Sequence, residues 1–291
     1  MPIKTTLAYG EMTNAEQRHV FKGLTPTQYV RGINPAAPGP IVEQPPHYDD
    51  IVFWLDANQA ASVFENGGYV TAWSSSKSEY PMVATYGTSG VPTNNLTYVT
   101  DEAAGMPAIH FPGNGAHYLR MAMFNHTPSE FTHWSFYVVC KRYSNYAASD
   151  NCEWTLGKAV AYLQTFHYTL GGNTGVIFDA GGGPYVTTAT LADISATNIW
   201  RIGAYISTTG LANGMVIYSN SNGPATIAGN GIYGVDIKLD EGDSQSFQTL
   251  GGGQGTTGKY RIQEVIFYSG SHDNTTRVEI EDWLNAKWSV F

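Results

Sequence analysis

The sequence predicts an all-β fold: a two-sheet antiparallel jelly-roll sandwich, preceded by an extended N-terminal arm and closed by one C-terminal helix. Three observations predict it. Short apolar runs rich in β-branched and aromatic residues recur through residues 50–268, separated by glycine turns such as Gly171-Gly172, Gly181–Gly183 and Gly251–Gly253. Many short strands at that spacing are the pattern of a sandwich. The composition agrees, since 291 residues carry 32 Gly and 19 Tyr but only 13% charged residues, which suits turn-rich sheets better than a helical bundle. Only Thr275–Trp288 has a sustained helical period behind a strand, so one helix has to cover whatever sheet surface is left open.

The chain opens on residues 1–48, which hold seven of the 14 prolines. Proline removes a backbone donor and fixes φ, so these residues predict an arm rather than a sheet. Thr13 and Glu16 have capping-box spacing and Gly23 can end the short helix they start. From Asn34 to Pro46 the chain predicts an extended connector. Leu24, Tyr29, Val30 and Ile33 supply apolar anchors if the arm orders on a neighbouring subunit; a solvated tail is the other reading of the same stretch.

Residues 49–291 form the predicted jelly-roll domain. Ile51–Ala57 is a buried strand, Tyr69–Trp73 a second, and Gly105–Phe111, a Pro-Gly turn and His117–Leu119 read as strand, turn, strand. Trp134–Lys141 is apolar throughout, which predicts a strand covered on both faces. Further strands are expected at Glu153–Leu156, Ala161–Thr169, Gly175–Asp179, Ile199–Ile206, Met215–Ser219, Gly234–Leu239 and Phe247–Leu250. In Lys259–Tyr268 alternation sets Tyr260, Ile262, Glu264, Ile266 and Tyr268 on one face and Arg261, Gln263, Val265 and Phe267 on the other. Ile280, Trp283, Leu284 and Trp288 then form one helical stripe, with Asp273 or Asn274 as the cap. The expected core includes Trp54, Trp73, Phe111, Leu119, Phe136, Val138, Trp200 and Ile266. Cys140 and Cys152 read as buried thiols or as a cross-strand pair; two cysteines make no disulfide framework.

The closing stretch also carries a resemblance. Ile262, Glu264, Val265, Ile266 and Tyr268, a polar turn, then Ile280, Glu281, Trp283, Leu284, Lys287 and Trp288 resemble the C-terminal signature of laminin-G-like domains of the concanavalin A-like lectin/glucanase superfamily. Trp54–Ala57, Trp73, Pro107–Ile109, Phe111, Gly113, Gly115, Tyr118 and Leu119 resemble its N-terminal signature. Trp200 and Met215–Ser219 are similar to its middle strands, and Leu250–Gly252 to its penultimate turn. The resemblance covers about residues 50–288. It implies a fold that serves as sugar binder, enzyme or structural module, so function has to come from the site.

Several chemistries are disfavoured by the residues. Gly229-Asn-Gly231-Ile-Tyr-Gly234 has dinucleotide spacing but runs into the alternating strand Val235–Leu239 rather than a helix. Gly253–Lys259 resembles a phosphate loop, yet Tyr260 stands where the magnesium-binding hydroxyl is needed. The superfamily's glucanases carry a Glu-x-Asp-x-x-Glu strand; Glu241-Gly-Asp243-Ser-Gln-Ser246 lacks the third carboxylate. No histidine spacing suits a metal, so no catalytic residue, metal or cofactor is expected. A net charge of −9 without a Lys/Arg cluster argues against nucleic acid, and no apolar run spans a bilayer.

Sugar-binding members of the superfamily use aromatic and polar rim loops, and the matching candidates are Tyr143, Tyr146 and Asp150, Asp179 with Tyr185, and Tyr233 with Asp236. Residues 1–30 lack the pattern of a secretion signal. That feature, the proline-rich arm and the lectin-like resemblance together give the expectation of a non-enzymatic virion protein. It would be a bacteriophage capsid-decoration or tail-associated adhesion protein, made in the host cytoplasm and anchored through its arm to other virion proteins or copies of itself. The alternatives are a soluble carbohydrate-binding lectin-like protein, whose partners would be cell-surface glycans, and a degenerate glycoside hydrolase.

Overall fold

Strands form where the apolar runs lie, and a long final strand ties the two ends of the domain together. The computed structural model describes residues 43–77, 81–86, 96–103, 105–112, 117–121, 129–131, 133–142, 151–158, 161–167, 176–179, 184–187, 198–207, 215–227, 237–239, 249–250, 252–253, 256–257 and 259–291. In chain order the strands are β1 (Ile51–Asp56), β2 (Val63–Asn66), β3 (Tyr69–Ser74), β4 (Pro81–Tyr86), β5 (Thr97–Ala103), β6 (Met106–Pro112), β7 (His117–Met121), β8 (Ser129–Phe131), β9 (Ser135–Arg142), β10 (Asn151–Lys158) and β11 (Ala161–His167). They continue as β12 (Val176–Asp179), β13 (Pro184–Thr187), β14 (Trp200–Ser207), β15 (Met215–Ser219), β16 (Asn222–Ile227), β17 (Ile237–Leu239), β18 (Thr249–Leu250), β19 (Gly252–Gly253), β20 (Thr256–Thr257) and β21 (Lys259–Tyr268). The helix α1 (Asn274–Trp288) follows.

The strands build the expected two-sheet antiparallel sandwich. An eight-stranded sheet runs β16-β15-β14-β9-β21-β6-β5, with β1 also on β21, and a nine-stranded sheet runs β13-β12-β11-β10-β18-β7-β4-β3-β2. β21 is long enough to serve two neighbours on one edge: Lys259–Ile262 pair with β6, and Glu264–Tyr268 pair with β1. Its other edge pairs with β9 along the whole length, with an irregularity between Ile262 and Glu264. Gln44–Phe291 cluster as one unit. Residues 1–42, with the expected arm and its anchors Leu24, Tyr29, Val30 and Ile33, lie outside the described residues.

Cross-strand partners share a face, so the register sorts side chains into two layers. Phe53 lies opposite Phe267 and Leu55 opposite Val265, and these face the sandwich interior with Phe136 and Val138. Phe53 and Phe267 stack with ring centroids 5.4 Å apart. Trp73, Leu119 and Leu250 of the nine-stranded sheet join them in one buried cluster. Trp54, Asp56, Glu264, Ile266 and Tyr268 point the other way, and α1 covers them with Ile280, Leu284 and Trp288. Asp273, not Asn274, caps the helix by accepting from Thr276 N at 2.8 Å.

Two results differ from the sequence reading, and the burial of β21 adds to it. Trp200, expected in the core, is half-buried: it opens β14 opposite Lys141, whose Nζ lies 5.0 Å from its ring centre. The alternation of β21 does not separate a wet face from a dry one, because sandwich and helix bury both, Gln263 and Glu264 included. Strands β2, β4, β5, β8, β13, β16, β19 and β20 were not anticipated. Their sequences, such as Asn222-Gly-Pro-Ala-Thr-Ile227, lack an apolar alternation and owe their pairing to neighbours. Cys140 is buried in β9, and the side chain of Cys152 lies outside the described residues.

Candidate functional site

The polar turn between β21 and α1 forms the floor of a pocket. Serines from neighbouring strands hold this turn. Ser135 Oγ donates to Gly270 O at 2.7 Å and accepts from His272 N at 2.9 Å. Ser207 Oγ and Ser271 Oγ lie 2.7 Å apart. Ser269 N donates to Asp50 O at 2.9 Å, which brings the segment before β1 alongside. That segment is fixed in turn by the Tyr268 hydroxyl, donating to Pro46 O at 3.0 Å. His47 adopts a left-handed conformation (φ 54°) where the chain turns from Pro45-Pro46 into the short 3₁₀ helix Tyr48–Asp50.

The result is an open cavity of about 330 Å³, with His47 and Asp50 on one wall and Ser269–Asp273 with Thr276 on the other. His47 Nε2 is 3.1 Å from Glu279 Oε2. The His272 ring packs against Tyr268 and Tyr137, with centroids at 4.6 and 5.7 Å, and its Nδ1 is 2.9 Å from the Tyr137 hydroxyl. Burial pushes the Tyr137 hydroxyl well above its ordinary range. With the Tyr137 hydroxyl protonated and donating to Nδ1, the His272 proton sits on Nε2. Burial, reinforced by His47, lowers His272 to about 4 against the opposing pull of Asp50 and Asp273, so its imidazole stays neutral at ordinary pH. The Asp50 carboxylate accepts no hydrogen bond among the described residues. Asp273 is held below its usual range by its hydrogen bonds with Thr276, which keeps it ionised as a cap. The pocket therefore offers a neutral N–H donor, an uncommitted carboxylate and hydroxyls on a fixed frame.

A second polar group sits beneath the helix around the fully buried Glu264. The Glu264 carboxylate accepts from Trp54 Nε1 at 2.6 Å, from Trp288 Nε1, and from Lys287 Nζ at 2.8 Å. Lys287 also reaches Asp56 Oδ2 at 2.9 Å. Burial pushes Glu264 up to about 7; Lys287 pulls it down and Asp56 adds to the rise. This cluster clamps β1, β21 and α1 together.

The sequence-predicted sugar contacts do not fall at this pocket. Tyr143, Tyr146, Asp150, Tyr233 and Asp236 lie outside the described residues, as do Glu241, Asp243 and Ser246. Asp179 ends β12 opposite Pro184, and Tyr185 lies opposite Phe178 in β13, so the two are close in the hairpin but are not cross-strand partners. The phosphate-loop-like stretch holds the small pair β19 and β20 and then enters β21. Among the described residues no three His, Cys, Asp or Glu side chains are grouped to hold a metal ion, and no helix is long and apolar enough to cross a membrane. The pocket was missed because Asp50 and His272 are 222 positions apart. The one local signal was the polar run Ser269-Gly-Ser-His-Asp273 between a strand and a helix.

No family model matches the chain, and no curated protein matches it in sequence. Solved structures do match. Domain 4 of AbnA, a GH43 extracellular arabinanase from Geobacillus stearothermophilus solved with arabinotriose, aligns at TM-score 0.56 and 13% identity, over 80% of this chain and 98% of that one. The binding domain of Paraclostridial Mosquitocidal Protein 1 aligns at TM-score 0.51 and 13% identity, over 82% of this chain and 52% of that one. The botulinum neurotoxin serotype D ligand-binding domain, solved with N-acetylneuraminic acid, aligns at TM-score 0.50 and 12% identity, over 81% and 51%. The chain thus spans nearly all of the arabinanase domain and about half of the two toxin chains. At these identities the likeness is one of fold: the chain has the antiparallel β-sandwich that these domains share.

Proposed function

We propose that the protein is a carbohydrate-binding, lectin-like protein that holds its ligand without transforming it. The observation that carries this reading is the pocket at the β21–α1 turn. A saccharide presents adjacent hydroxyls, each both donor and acceptor. The Asp50 carboxylate can accept two of them, and the His272 N–H and the pocket hydroxyls supply the complementary partners. Two of the solved domains sharing the fold hold arabinotriose and N-acetylneuraminic acid, which supports the ligand class.

Among the described residues, the electrostatics around the pocket favour binding over hydrolysis. A glycosidase needs a carboxylic acid kept protonated beside its substrate. Asp273 is shifted the opposite way. Glu264, the carboxyl raised to about 7, is fully buried under the helix. The virion-anchored form of this reading depends on residues 1–42, outside the described residues, so the sandwich supports the lectin-like form first.

The test is a glycan array followed by calorimetry on the best ligand. Hydrogen bonds to a charged group contribute about 1.5–3 kcal/mol, so Asp50→Ala should weaken binding by roughly 10- to 100-fold. Binding to no glycan on the array would overturn the reading. Full affinity in Asp50→Ala would move the site elsewhere.

A further inference from the structure

We propose that the outer face of the β2–β3 hairpin is a second carbohydrate-contacting surface, an aromatic platform for the apolar face of a pyranose ring. The inference rests on the carbohydrate-binding reading above and extends it to a separate place on the molecule. β2 ends the nine-stranded sheet, and its hairpin turns on Gly67 and Gly68, both with positive φ (61° and 82°). That pair matches the twist of a two-residue hairpin turn. Neither glycine has an atom within 4 Å of where a Cβ would stand, so the tip projects into open space.

The register decides which side chains this hairpin presents outward. Val63 faces Trp73, which is fully buried, and Glu65 faces the buried Val70; these pairs mark the inner side. Phe64 lies opposite Ala72 and Asn66 opposite Tyr69, on the outer side. The irregularity between Phe64 and Glu65 leaves Thr71 unpaired, and its hydroxyl donates to Phe64 O at 3.1 Å, which fixes the bulge. Phe64 and Tyr69 are 50% and 41% exposed, two of the four exposed large hydrophobic residues among those described, and they occupy one diagonal of one hairpin. Diagonal neighbours across an antiparallel pair are about 7–8 Å apart, close to the width of a sugar ring, and the other diagonal is held by Ala72 and Asn66.

Three properties select a sugar over a second copy of the chain. β2 is four residues long, and Glu65 in it is exposed, so antiparallel self-pairing would bring like charges together on a short edge. Asn66 is exposed on the outer side beside the rings, where its amide can meet hydroxyls. The open tip sets no wall against an extended chain, which fits an oligosaccharide lying across the face better than a globular partner.

The experiment uses the full chain and a panel of cello-, xylo-, arabino- and chitohexaose, with calorimetry and sedimentation velocity. The double variant Phe64→Ala/Tyr69→Ala should weaken binding of the responding hexasaccharide about tenfold or more, with an unchanged melting temperature because both rings are exposed. Tyr69→Phe, which keeps the ring, should restore most of the affinity to a Tyr69 site. Unchanged affinity in the double variant, while Asp50→Ala weakens binding, overturns the platform and leaves the pocket standing. No binding of the panel or of any array glycan by the unaltered protein overturns both. A dimer of the unaltered protein that the double variant dissolves also overturns the proposal, in favour of self-association.

Discussion

Glu264 shows how far a single side chain departs from what its letter suggests. In an alternating strand a glutamate reads as the wet face, yet here it is fully buried among two indole N–H groups and Lys287. Its carboxyl titrates near 7 in the folded state against an ordinary 4.5, chiefly because burial disfavours the charge. The folded protein therefore binds more protons than the unfolded chain between those values. Glu264 supplies stability that is complete below about pH 4.5 and is lost as pH rises through about 7. His272 acts in the opposite sense: lowered to about 4 from 6.5, it supplies stability that is complete above 6.5 and is lost as pH falls through 4. The two slopes oppose each other where the windows overlap. Urea titrations of the wild type and Glu264→Gln separate them. The stability advantage of the wild type over the variant should decline from pH 4.5 to 7 and stay level above. A difference that does not vary with pH would mean that Glu264 is ionised throughout.

At the scale of elements, the helix was the most legible part of the chain. Its stripe of Ile280, Trp283, Leu284 and Trp288 has the 3.6-residue period, and the structure places three of these wholly inside and Trp283 half-buried, edge-on to Trp54 at 6.5 Å. β9 and β21 were equally plain, because unbroken apolar or alternating runs leave few other options. What the sequence did not reveal was pairing. β2, β5 and β16 exist because partners lie beside them, and the pocket exists because the segment before β1 lies against the β21–α1 turn. Such placements join residues far apart in the chain, which local periodicity cannot encode. The energetic weight of the helix follows from its largest fully buried side chain. Trp288 is 1% exposed and its indole donates to Glu264. Trp288→Ala should cost roughly 3–5 kcal/mol, read as a lower urea midpoint with an unchanged slope. A loss below about 1 kcal/mol would mean that the helix rests on the sheet without being part of its core.

Over the whole molecule, the dominant fact is that β1 and β21 are hydrogen-bonded neighbours although almost the entire sandwich lies between them in sequence. Sheets closed by such distant pairs fold slowly, since the loop must close before its contacts can form. The same pairing bears on how the protein is made. During translation β1 leaves the ribosome about 200 residues ahead of β21, a wait of about 10–40 s at ordinary elongation rates. Throughout that wait Ile51-Val-Phe-Trp-Leu55 has no native strand to pair with. Nascent chains arrested before Lys259 should be cut readily by protease within β1, and chains arrested well past Trp288 should resist; equal resistance in both would show that the sandwich closes without its final strand. Until synthesis supplies β21, the apolar β1 of the newborn chain therefore stays without the strand that completes it.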